Sequence, residues 1–184
     1  RVVRMGRAEH GGTIAAVGNN ERGVIGVAPL ANIMTLKAFR DDGFGSSDNL
    51  AEALVYGATN GADVLNNSWG CSSPCPSNPV IEDAVRTAHG LGAVVVFAAG
   101  NSSDDVAFYS PQNMTTPKPI VVAATDQTDA PTFFTNFGLL LDVAAPGGGK
   151  DTGPPVFELW NILSLKAHTC DFGVCPSSLI VGTK

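Results

Sequence analysis

Short apolar runs rich in Val and Ile alternate along the chain with stretches that have helical periodicity. Five such runs lie at residues 33–39, 62–69, 93–99, 119–125 and 139–147. They do not alternate strictly between apolar and polar residues, which indicates burial on both faces and a parallel sheet under helices. A shorter run at 161–165 predicts a further strand. The pattern therefore predicts one α/β domain with a doubly wound, mostly parallel sheet and helices on both faces.

The stretch between the first two runs predicts an amphipathic helix. Leu50, Leu54 and Ala58 fall on one face of it at four-residue steps, as a buried face requires. Asp48 is placed to cap its amino end, and Gly61 is placed to end it.

A second amphipathic helix is predicted between the second and third runs. Its apolar stripe consists of Val80, Ala84, Val85 and Ala88. Gly90 is expected to stop this helix.

Composition and charge exclude several classes of function. The 184 residues are 44% hydrophobic and only 15% charged, with a net charge of −6 and a pI near 4.8. Nucleic acid is not expected as a partner, because phosphate binding needs clustered Lys and Arg. No apolar run approaches the ~20 residues that span a bilayer. Residues 1–10 show neither the apolar core nor the cleavage site of a signal peptide.

The four cysteines form two closely spaced pairs, Cys71 with Cys75 and Cys170 with Cys175. Their local spacing and Pro-rich surroundings in an acidic chain predict two short-loop disulfides, and hence a secreted, extracellular protein. Free thiols are one alternative. A zinc site that includes His168 is another, although the spacings are not those of a standard zinc site.

Polar and glycine-rich stretches follow the predicted strands. In chain order they are RDDGFGSSD, NSWGCSSP, GNSSDD, ATDQTD and PGGG. Open parallel sheets bind ligands at the carboxyl ends of their strands, so binding or catalysis is expected here. None of these stretches is a glycine-rich dinucleotide fingerprint, which disfavours a nucleotide-binding protein.

Five motifs along the chain carry a family resemblance. They are GTIAAVGNNERGVIGVAP, GADVLNNSWG, VVVFAAGN, PIVVAATD and LDVAAPGG. In this order and at these spacings the chain resembles the subtilisin-like serine proteases, or subtilases, over residues 12–165. The resemblance implies a single partial peptidase domain over residues 1–184, of which residues 166–184 are a Cys-containing loop and tail. It also implies the subtilisin-like fold and a serine-type endopeptidase that acts on extended peptides or proteins.

The motif VVVFAAGN places Asn101 directly after the third apolar run. The resemblance implies that Asn101 donates its side-chain amide to the oxyanion of the tetrahedral intermediate. An amide fixed just beyond a buried strand is a preorganised donor, which suits that chemistry. The alternative is that Gly-Asn is only a turn.

Two further segments are implied to bind substrate. The resemblance implies that Ser68, Trp69 and Gly70 form one wall of the primary specificity pocket. It also implies that Gly43, Phe44 and Gly45 form the opposite edge of the binding cleft. Main-chain pairing would hold an extended peptide there by β-augmentation, and glycine allows close backbone approach. For the second segment, an ordinary turn is the alternative.

The stretch AVGNNERGVIG is similar to the calcium-binding loop of the family. The implied ligands are the side chain of Asn20 and the carbonyl groups of Gly18, Arg22 and Val24. Calcium takes about 6–8 oxygen ligands, and these residues offer fewer and no carboxylate. A plain solvated loop is the alternative.

The catalytic triad has a candidate for one of its members. Subtilases use Asp, His and Ser in that chain order, and His10 in the stretch AEHGGT is the candidate general base. A gapless match to the family pattern instead puts the catalytic position at Gly6. His89 and His168 have no motif support and are expected to be structural.

The Asp and the Ser of the triad have no candidate. The family Asp precedes the His, and residues 1–9 contain no Asp. The nucleophile is expected in a Gly-Thr-Ser turn, whereas Gly182-Thr183-Lys184 has Lys in place of Ser. We therefore expect a subtilisin-like endopeptidase represented by a partial chain that is inactive alone. The alternative is a catalytically inactive relative with a peptide-binding or structural role.

Overall fold

A computed structural model describes residues 2–5, 9–21, 23–40 and 42–148, without the side chains of residues 2–5, 9 and 10. The strand predicted at 161–165 lies outside these described residues, as do Cys170 and Cys175. The single-domain organisation over residues 1–184 stays a prediction.

Within the described residues, six strands form one sheet. In chain order the elements are β1 (Val2–Met5), α1 (Glu9–Ala15), β2 (Ile33–Leu36), α2 (Ser47–Thr59), β3 (Val64–Asn67), α3 (Pro79–Gly90), β4 (Val94–Ala98), a short 3-10 helix (Val106–Phe108), β5 (Ile120–Thr125) and β6 (Val143–Pro146). The strands are ordered β2-β1-β3-β4-β5-β6 across the sheet. All neighbouring pairs are parallel, so the predicted α/β class with a parallel sheet is confirmed.

β1 is a strand that the hydrophobic pattern did not predict. It lies between β2 and β3, and Val2 is in register with Ile33 on one side and Val64 on the other. Four residues that include Arg4 are too short a run to show a recognisable period. Their strand structure depends on pairing with two neighbours rather than on a local signal.

The chain winds in two directions from β1. It passes through α1 to β2 on one side, then returns through α2 to β3 and onward to β4 on the other side. Crossovers between parallel strands are right-handed, so this reversal puts α1 on the opposite face of the sheet from α2 and α3. The reversal also creates a switch point between the carboxyl ends of β1 and β3, where doubly wound sheets bind their ligands.

Helix α2 begins with a different cap from the predicted one. The prediction of Asp48 was wrong: Ser46 is the N-cap, and its Oγ accepts a hydrogen bond from the N–H of Asn49 at 3.2 Å. Asp48 lies in the first turn instead, where a carboxylate is favoured by the helix dipole. At the other end Gly61 has φ +79°, and the N–H of Ala62 donates back into the last turn. Gly61 therefore ends the helix, as predicted.

Helix α3 differs from its prediction at two positions. Val80 is 45% exposed, and the buried residues are Ile81, Ala84, Val85 and Ala88. Val80 lies about a quarter turn away from the centre of this buried face. Gly90 is the last helical residue, and the left-handed glycine that ends the helix is Gly92, with φ +91°.

The core lies between the sheet and the pair formed by α2 and α3. Its fully buried side chains come from both helices and from the sheet, and they include Leu54, Leu65, Ile81, Val85 and Phe97. These contacts fix β3 and β4, whose carboxyl ends lead into the candidate site. Among the described residues, no helix has the length and apolar character needed to cross a membrane.

Candidate active site

Four stretches leave the sheet at the same edge, because the strands that precede them are parallel. β1 leads towards His10 in α1, β2 leads into residues 40–45, β3 into residues 68–70, and β4 into Asn101. The predicted site residues thus come to one edge of the sheet. His10 and residues 68–70 follow the two strands that border the switch point.

The Asn101 loop, residues 99–104, follows β4. Ala99 is buried, and Gly100 turns the chain with φ +110°, a conformation that favours glycine. Asn101 is exposed. Its side-chain amide makes no hydrogen bond within the described part of the chain. Among the described residues, the exposed amide of Asn101 thus has no partner that would compete with a ligand for its N–H groups.

A later stretch, residues 134–138, holds the Asn101 loop through its backbone. The N–H of Asn136 donates to the carbonyl of Gly100 at 3.0 Å. The N–H of Ser103 donates to the carbonyl of Phe134 at 2.9 Å. The loop is thus paired with a stretch of chain more than 30 residues away, rather than closed by its own residues.

The side chain of Asn136 adds a second set of contacts. It is fully buried, and its Oδ1 accepts from the N–H of Ser102 at 2.9 Å and from the N–H of Asp104 at 3.3 Å. A Cβ placed on Gly100 would lie 2.6 Å from its Nδ2, so amide and loop are in close contact. Sequence reasoning missed Asn136, because an Asn before Phe-Gly has no local signature and its partners lie far away along the chain.

The segment after β3 turns its aromatic ring into the core. The ring of Trp69 packs edge-on against Phe97 at a centroid distance of 5.0 Å and against Phe39 at 6.5 Å. Its Nε1 donates to Oδ1 of buried Asn67 at 3.2 Å, and Asn67 in turn donates to Val96 O at 3.1 Å. The side chain of Trp69 therefore anchors the segment to β4, and its backbone remains at the edge of the sheet.

Gln112 connects the segments that follow β3 and β4. It is 1% exposed, and its Nε2 donates to Ala98 O at 3.0 Å and to Trp69 O at 3.3 Å. It also lies against Gly70, where an added Cβ would be 2.9 Å from Nε2. Sequence reasoning missed Gln112 too, since a single Gln in the loop before β5 matches no motif.

Residues 40 and 42–45 belong to a turn that is closed by its own residues. The N–H of Arg40 donates to Phe44 O at 2.9 Å, and the N–H of Phe44 donates to Oδ1 of Asp42 at 3.0 Å. Gly43 has φ +83° and Phe44 is 65% exposed. Gly45 approaches Ala38 O so closely that a Cβ would lie 2.9 Å from it. The structure thus contains the turn that was the alternative for this segment, and it leaves the substrate-binding role of Gly43, Phe44 and Gly45 a prediction.

A disulfide between Cys71 and Cys75 closes the loop that follows Gly70. The N–H of Cys75 donates to Phe108 O at 2.8 Å, and the N–H of Ser110 donates to Cys75 O at 2.8 Å. These bonds attach the disulfide loop to the stretch that carries Gln112.

Only the first of the two predicted disulfides can be compared with the structure. The described residues end at position 148, before Cys170 and before Cys175. Within that range the disulfide is the bond between Cys71 and Cys75. The predicted bond that joins Cys170 to Cys175 has no counterpart among the described residues and stays a prediction.

The carboxylate of Glu82, in the first turn of α3, accepts hydrogen bonds from three residues near the disulfide loop. Its Oε1 accepts from the N–H of Asn78 at 2.9 Å, from Ser110 Oγ at 2.8 Å and from Ser77 Oγ at 3.3 Å. The hydrogen bond from Asn78 first, then those from Ser110 and Ser77 and the charge of Arg86, hold the pKa of Glu82 below its ordinary value of 4.5. Glu82 is therefore expected to be ionised at neutral pH and to tie α3 to Ser110.

The remaining predicted residues lie partly outside the described residues. His10 is in α1, but its side chain is not described, and Gly6 lies outside the described range.

The predicted calcium ligands lie in and near a loop that is only partly described. Asn20 lies in an exposed loop, and Arg22 is not described. The described residues contain no group of three or more His, Cys, Asp or Glu side chains that could hold a metal ion. The ligands predicted around Asn20 are too few for calcium by themselves, so calcium binding there stays a prediction.

Comparisons with known proteins agree with this geometry. A model of the subtilase family matches residues 8–173. A thermophilic serine proteinase of Bacillus sp. (strain AK1) is 39% identical over 138 residues, which are 74% of this chain and 32% of that protein. Thermitase of Thermoactinomyces vulgaris is 37% identical over 140 residues, which are 74% of this chain and 47% of thermitase.

Solved structures agree as well. A protease from Pseudoalteromonas arctica PAMC 21717 superimposes with a TM-score of 0.75 and 32% identity, over 85% of this chain and 47% of that one. The epidermin leader peptide processing serine protease of Staphylococcus aureus gives a TM-score of 0.71 and 25% identity, over 86% and 46% of the two chains. The chain thus spans half or less of the length of each of these relatives. A family match over most of its residues, together with the parallel sheet and the strand-end motifs, leads to one conclusion: the chain belongs to the subtilase family.

Proposed function

We propose that the natural full-length protein is a serine-type endopeptidase of the subtilisin-like class, and that Asn101 is its oxyanion donor. The observation that carries the proposal is the exposed amide of Asn101 directly after β4, which makes no hydrogen bond to the residues that the structure describes. β4 pairs with β3, one of the two strands that border the switch point of the sheet. Family membership supports the reaction class.

The proposed role of Asn101 is electrostatic. When a nucleophile attacks a peptide carbonyl, negative charge develops on the carbonyl oxygen. A donor that is already fixed in place stabilises this charge without reorganisation. Asn101 transfers no proton itself, so a base and a nucleophile are required elsewhere. His10 is the proposed base because it follows β1 at the switch point.

An extended peptide is the proposed substrate. Its proposed contacts are the backbone of residues 68–70 and the edge at Gly43–Gly45, in the manner of an added β-strand. The inward packing of the Trp69 ring supports this, since it leaves the segment's backbone at the sheet edge. The Cys71–Cys75 disulfide supports secretion, because such bonds persist in oxidising compartments. Calcium has no part in the proposed mechanism.

A catalytically inactive peptide-binding module is the second candidate. It is kept as a candidate because the backbone of residues 68–70 at the sheet edge could bind an extended peptide without cleaving it. The natural coding sequence on either side separates the two candidates. An upstream strand that ends in Asp and a downstream Gly-Thr-Ser turn support the peptidase, and initiation and stop codons at the present ends support the module.

The proposal is tested by peptide hydrolysis with the full-length protein and its Asn101→Ala variant. Loss of one oxyanion donor is expected to lower kcat by about 10²–10³-fold with little change in KM. That magnitude was itself established on a subtilisin, so it is a calibration from the same family and not an independent derivation. Asn113→Ala is the matched control, since Asn113 donates to Pro76 O and Ala107 O away from the loop. We expect its kcat to stay within about 3-fold of the wild-type value.

Labelling with a fluorophosphonate probe provides the second measurement. The full-length protein is expected to be labelled at one serine, and the 184-residue chain is expected to remain unlabelled. Absence of hydrolysis by a folded full-length protein would overturn the peptidase proposal. Unchanged kcat in Asn101→Ala would overturn the role of Asn101 alone.

A further inference from the structure

We infer that Asn136 is a positioning residue for Asn101: its buried amide fixes the backbone on both sides of the residue that donates to the oxyanion. The inference rests on the proposed function of Asn101. It concerns a residue that the sequence motifs did not identify and that lies 34 positions beyond Ser102, the residue after Asn101.

The bonds of Asn136 surround Asn101 along the chain. Gly100, on one side, accepts from the backbone N–H of Asn136 at 3.0 Å. Ser102, on the other side, donates to its Oδ1 at 2.9 Å, and Asp104 donates to the same oxygen at 3.3 Å. Asn101 itself makes no side-chain hydrogen bond within the described residues. Asn101 is thus held through both of its neighbours, while its own side chain has no hydrogen-bond partner in the described part of the chain.

The burial of Asn136 makes its hydrogen bonds to Ser102 and Asp104 hard to replace. Asn136 is 0% exposed, so water cannot replace its Oδ1 as the acceptor for Ser102 and Asp104 unless the structure opens. The close approach of Gly100 to Nδ2 leaves no room for the loop to move inward. An oxyanion donor needs this kind of fixed geometry, because a donor that must reorganise loses much of its electrostatic advantage.

The expected effect on kcat and KM follows from the stage of the reaction at which the oxyanion forms. The oxyanion forms only in the transition state and the tetrahedral intermediate, so a displaced Asn101 lowers kcat and leaves KM nearly unchanged. A displacement of about 1 Å in a catalytic group can cost up to about 10²-fold. Removal of the Asn136 side chain leaves the backbone bond to Gly100 in place, so we expect a loss of about 10-fold to 100-fold in kcat.

The test is a double-mutant cycle in the natural full-length protein. The variants are Asn136→Ala, Asn101→Ala and the double variant, each normalised by active-site titration so that unfolded protein does not contribute. If Asn136 acts through Asn101, Asn136→Ala lowers kcat in the wild-type background but changes it by less than about 3-fold in the Asn101→Ala background. A merely structural Asn136 would lower kcat by the same factor in both backgrounds, and that result would overturn the inference.

Thr135→Val is the matched control for stability. Thr135 is buried beside Asn136; its hydroxyl accepts from the N–H of Ala124 in β5 at 3.0 Å and donates to the carbonyl oxygen of Asn136 at 3.2 Å. Among the described residues it makes no hydrogen bond to residues 99–104, so its variant removes a buried hydrogen bond and leaves the amide side chain of Asn136 in place. Its variant is expected to unfold at a lower temperature and to keep kcat within about 3-fold of the wild type. Equal losses of kcat in Thr135→Val and Asn136→Ala would contradict a specific positioning role.

Amide hydrogen exchange gives a readout that needs no catalysis. In Asn136→Ala, the N–H groups of Ser102 and Asp104 are expected to exchange faster relative to the core, whereas in Thr135→Val they keep their protection. Unchanged protection in Asn136→Ala would overturn the inference even if Asn101→Ala behaves as an oxyanion donor should. If the full-length protein proves inactive, the proposed function fails, and exchange still decides whether Asn136 holds the loop.

Discussion

Two glycine-containing turns at the carboxyl edge of the sheet are held in opposite ways. Residues 40–45 are closed by their own backbone and by Asp42, within four positions along the chain. The Asn101 loop is held by the buried side chain of Asn136, more than 30 positions away. The first arrangement suits an exposed edge on which a peptide can lie. The second suits a donor whose position must not change during a reaction.

The two turns also differ in how much they depend on distant parts of the chain. The exposed turn is closed mainly by hydrogen bonds between its own residues. The Asn101 loop depends on the position of the chain between β5 and β6, which carries Asn136. Substitutions in the two turns should therefore differ in size.

The largest expected difference is between Gly100→Ala and Gly43→Ala. Both glycines have positive φ, +110° and +83°. A Cβ on Gly100 would lie 2.6 Å from Nδ2 of Asn136, whereas a Cβ on Gly43 meets nothing within 4 Å. We expect Gly100→Ala to lower the free energy of unfolding by about 3 kcal/mol, from backbone strain and steric overlap together. Gly43→Ala should cost about 1 kcal/mol, from strain alone.

Urea unfolding of the two variants under identical conditions measures this difference. Equal losses would mean that the loop yields as easily as the exposed turn. In that case the contact with Asn136 would not constrain Asn101. If Gly100→Ala costs less in the Asn136→Ala background than in the wild type, the difference is the steric overlap with the Asn136 side chain, and the loss that remains is backbone strain.

The comparison also explains how much of the structure could be predicted. The apolar runs and the helical stripes predicted β2 to β6, α2 and α3, because a buried face leaves a periodic pattern in the sequence. β1 was missed, since four residues carry no readable period. Asp48 was chosen over Ser46 as the cap, and Val80 was included in the stripe in place of Ile81, because several residues satisfy the same local rule. Tertiary packing decides between such candidates.

The candidate site likewise contains some residues that the sequence could predict and others that it could not. Asn101 and residues 68–70 could be identified because each directly follows a strand and matches a family motif. Asn136 and Gln112 could not, since each acts on backbone groups that are distant in sequence. Gln112 contacts Trp69, 43 positions before it, and only the folded chain places its amide between two strand ends. Contacts of this kind leave no spacing rule to detect.

Glu82 also joins two segments that are distant in sequence, α3 and the stretch that carries Ser110, and unlike Asn136 it is charged. Its pKa is held below the ordinary value of 4.5, first by the hydrogen bond from Asn78 and then by Ser110, Ser77 and Arg86. A carboxyl group with a depressed pKa in the folded state stabilises the fold above its unfolded pKa. That stabilisation is lost as the pH falls through the folded pKa. The link between α3 and Ser110 is therefore expected to weaken below about pH 4.5.

Glu82→Gln tests this link. At pH 7 the variant is expected to be less stable by about 1 kcal/mol, because neutral hydrogen bonds replace charge-assisted ones. Its stability should also fall less steeply than that of the wild type as the pH falls below about 4.5, the ordinary pKa of a glutamate. Asp83→Asn is the control, since Asp83 is exposed and paired only with Arg86 among the described residues. Parallel pH profiles for the wild type and Glu82→Gln would contradict the role assigned to Glu82.

The smallest effect on stability is expected at Asp42, whose contacts are exposed and lie within two positions along the chain. Asp42 forms an ion pair with Arg40 at 2.9 Å, and the two side chains are 53% and 72% exposed. Exposed ion pairs contribute little, because water screens them and two long side chains must be ordered. Asp42→Asn removes the charge but keeps an oxygen that can accept from the N–H of Phe44. We expect it to change the free energy of unfolding by less than about 0.5 kcal/mol, as measured by urea unfolding at low and high salt. A loss comparable to that of Gly100→Ala would show that the exposed turn is constrained as strongly as the buried loop, and the contrast between the two turns would fail.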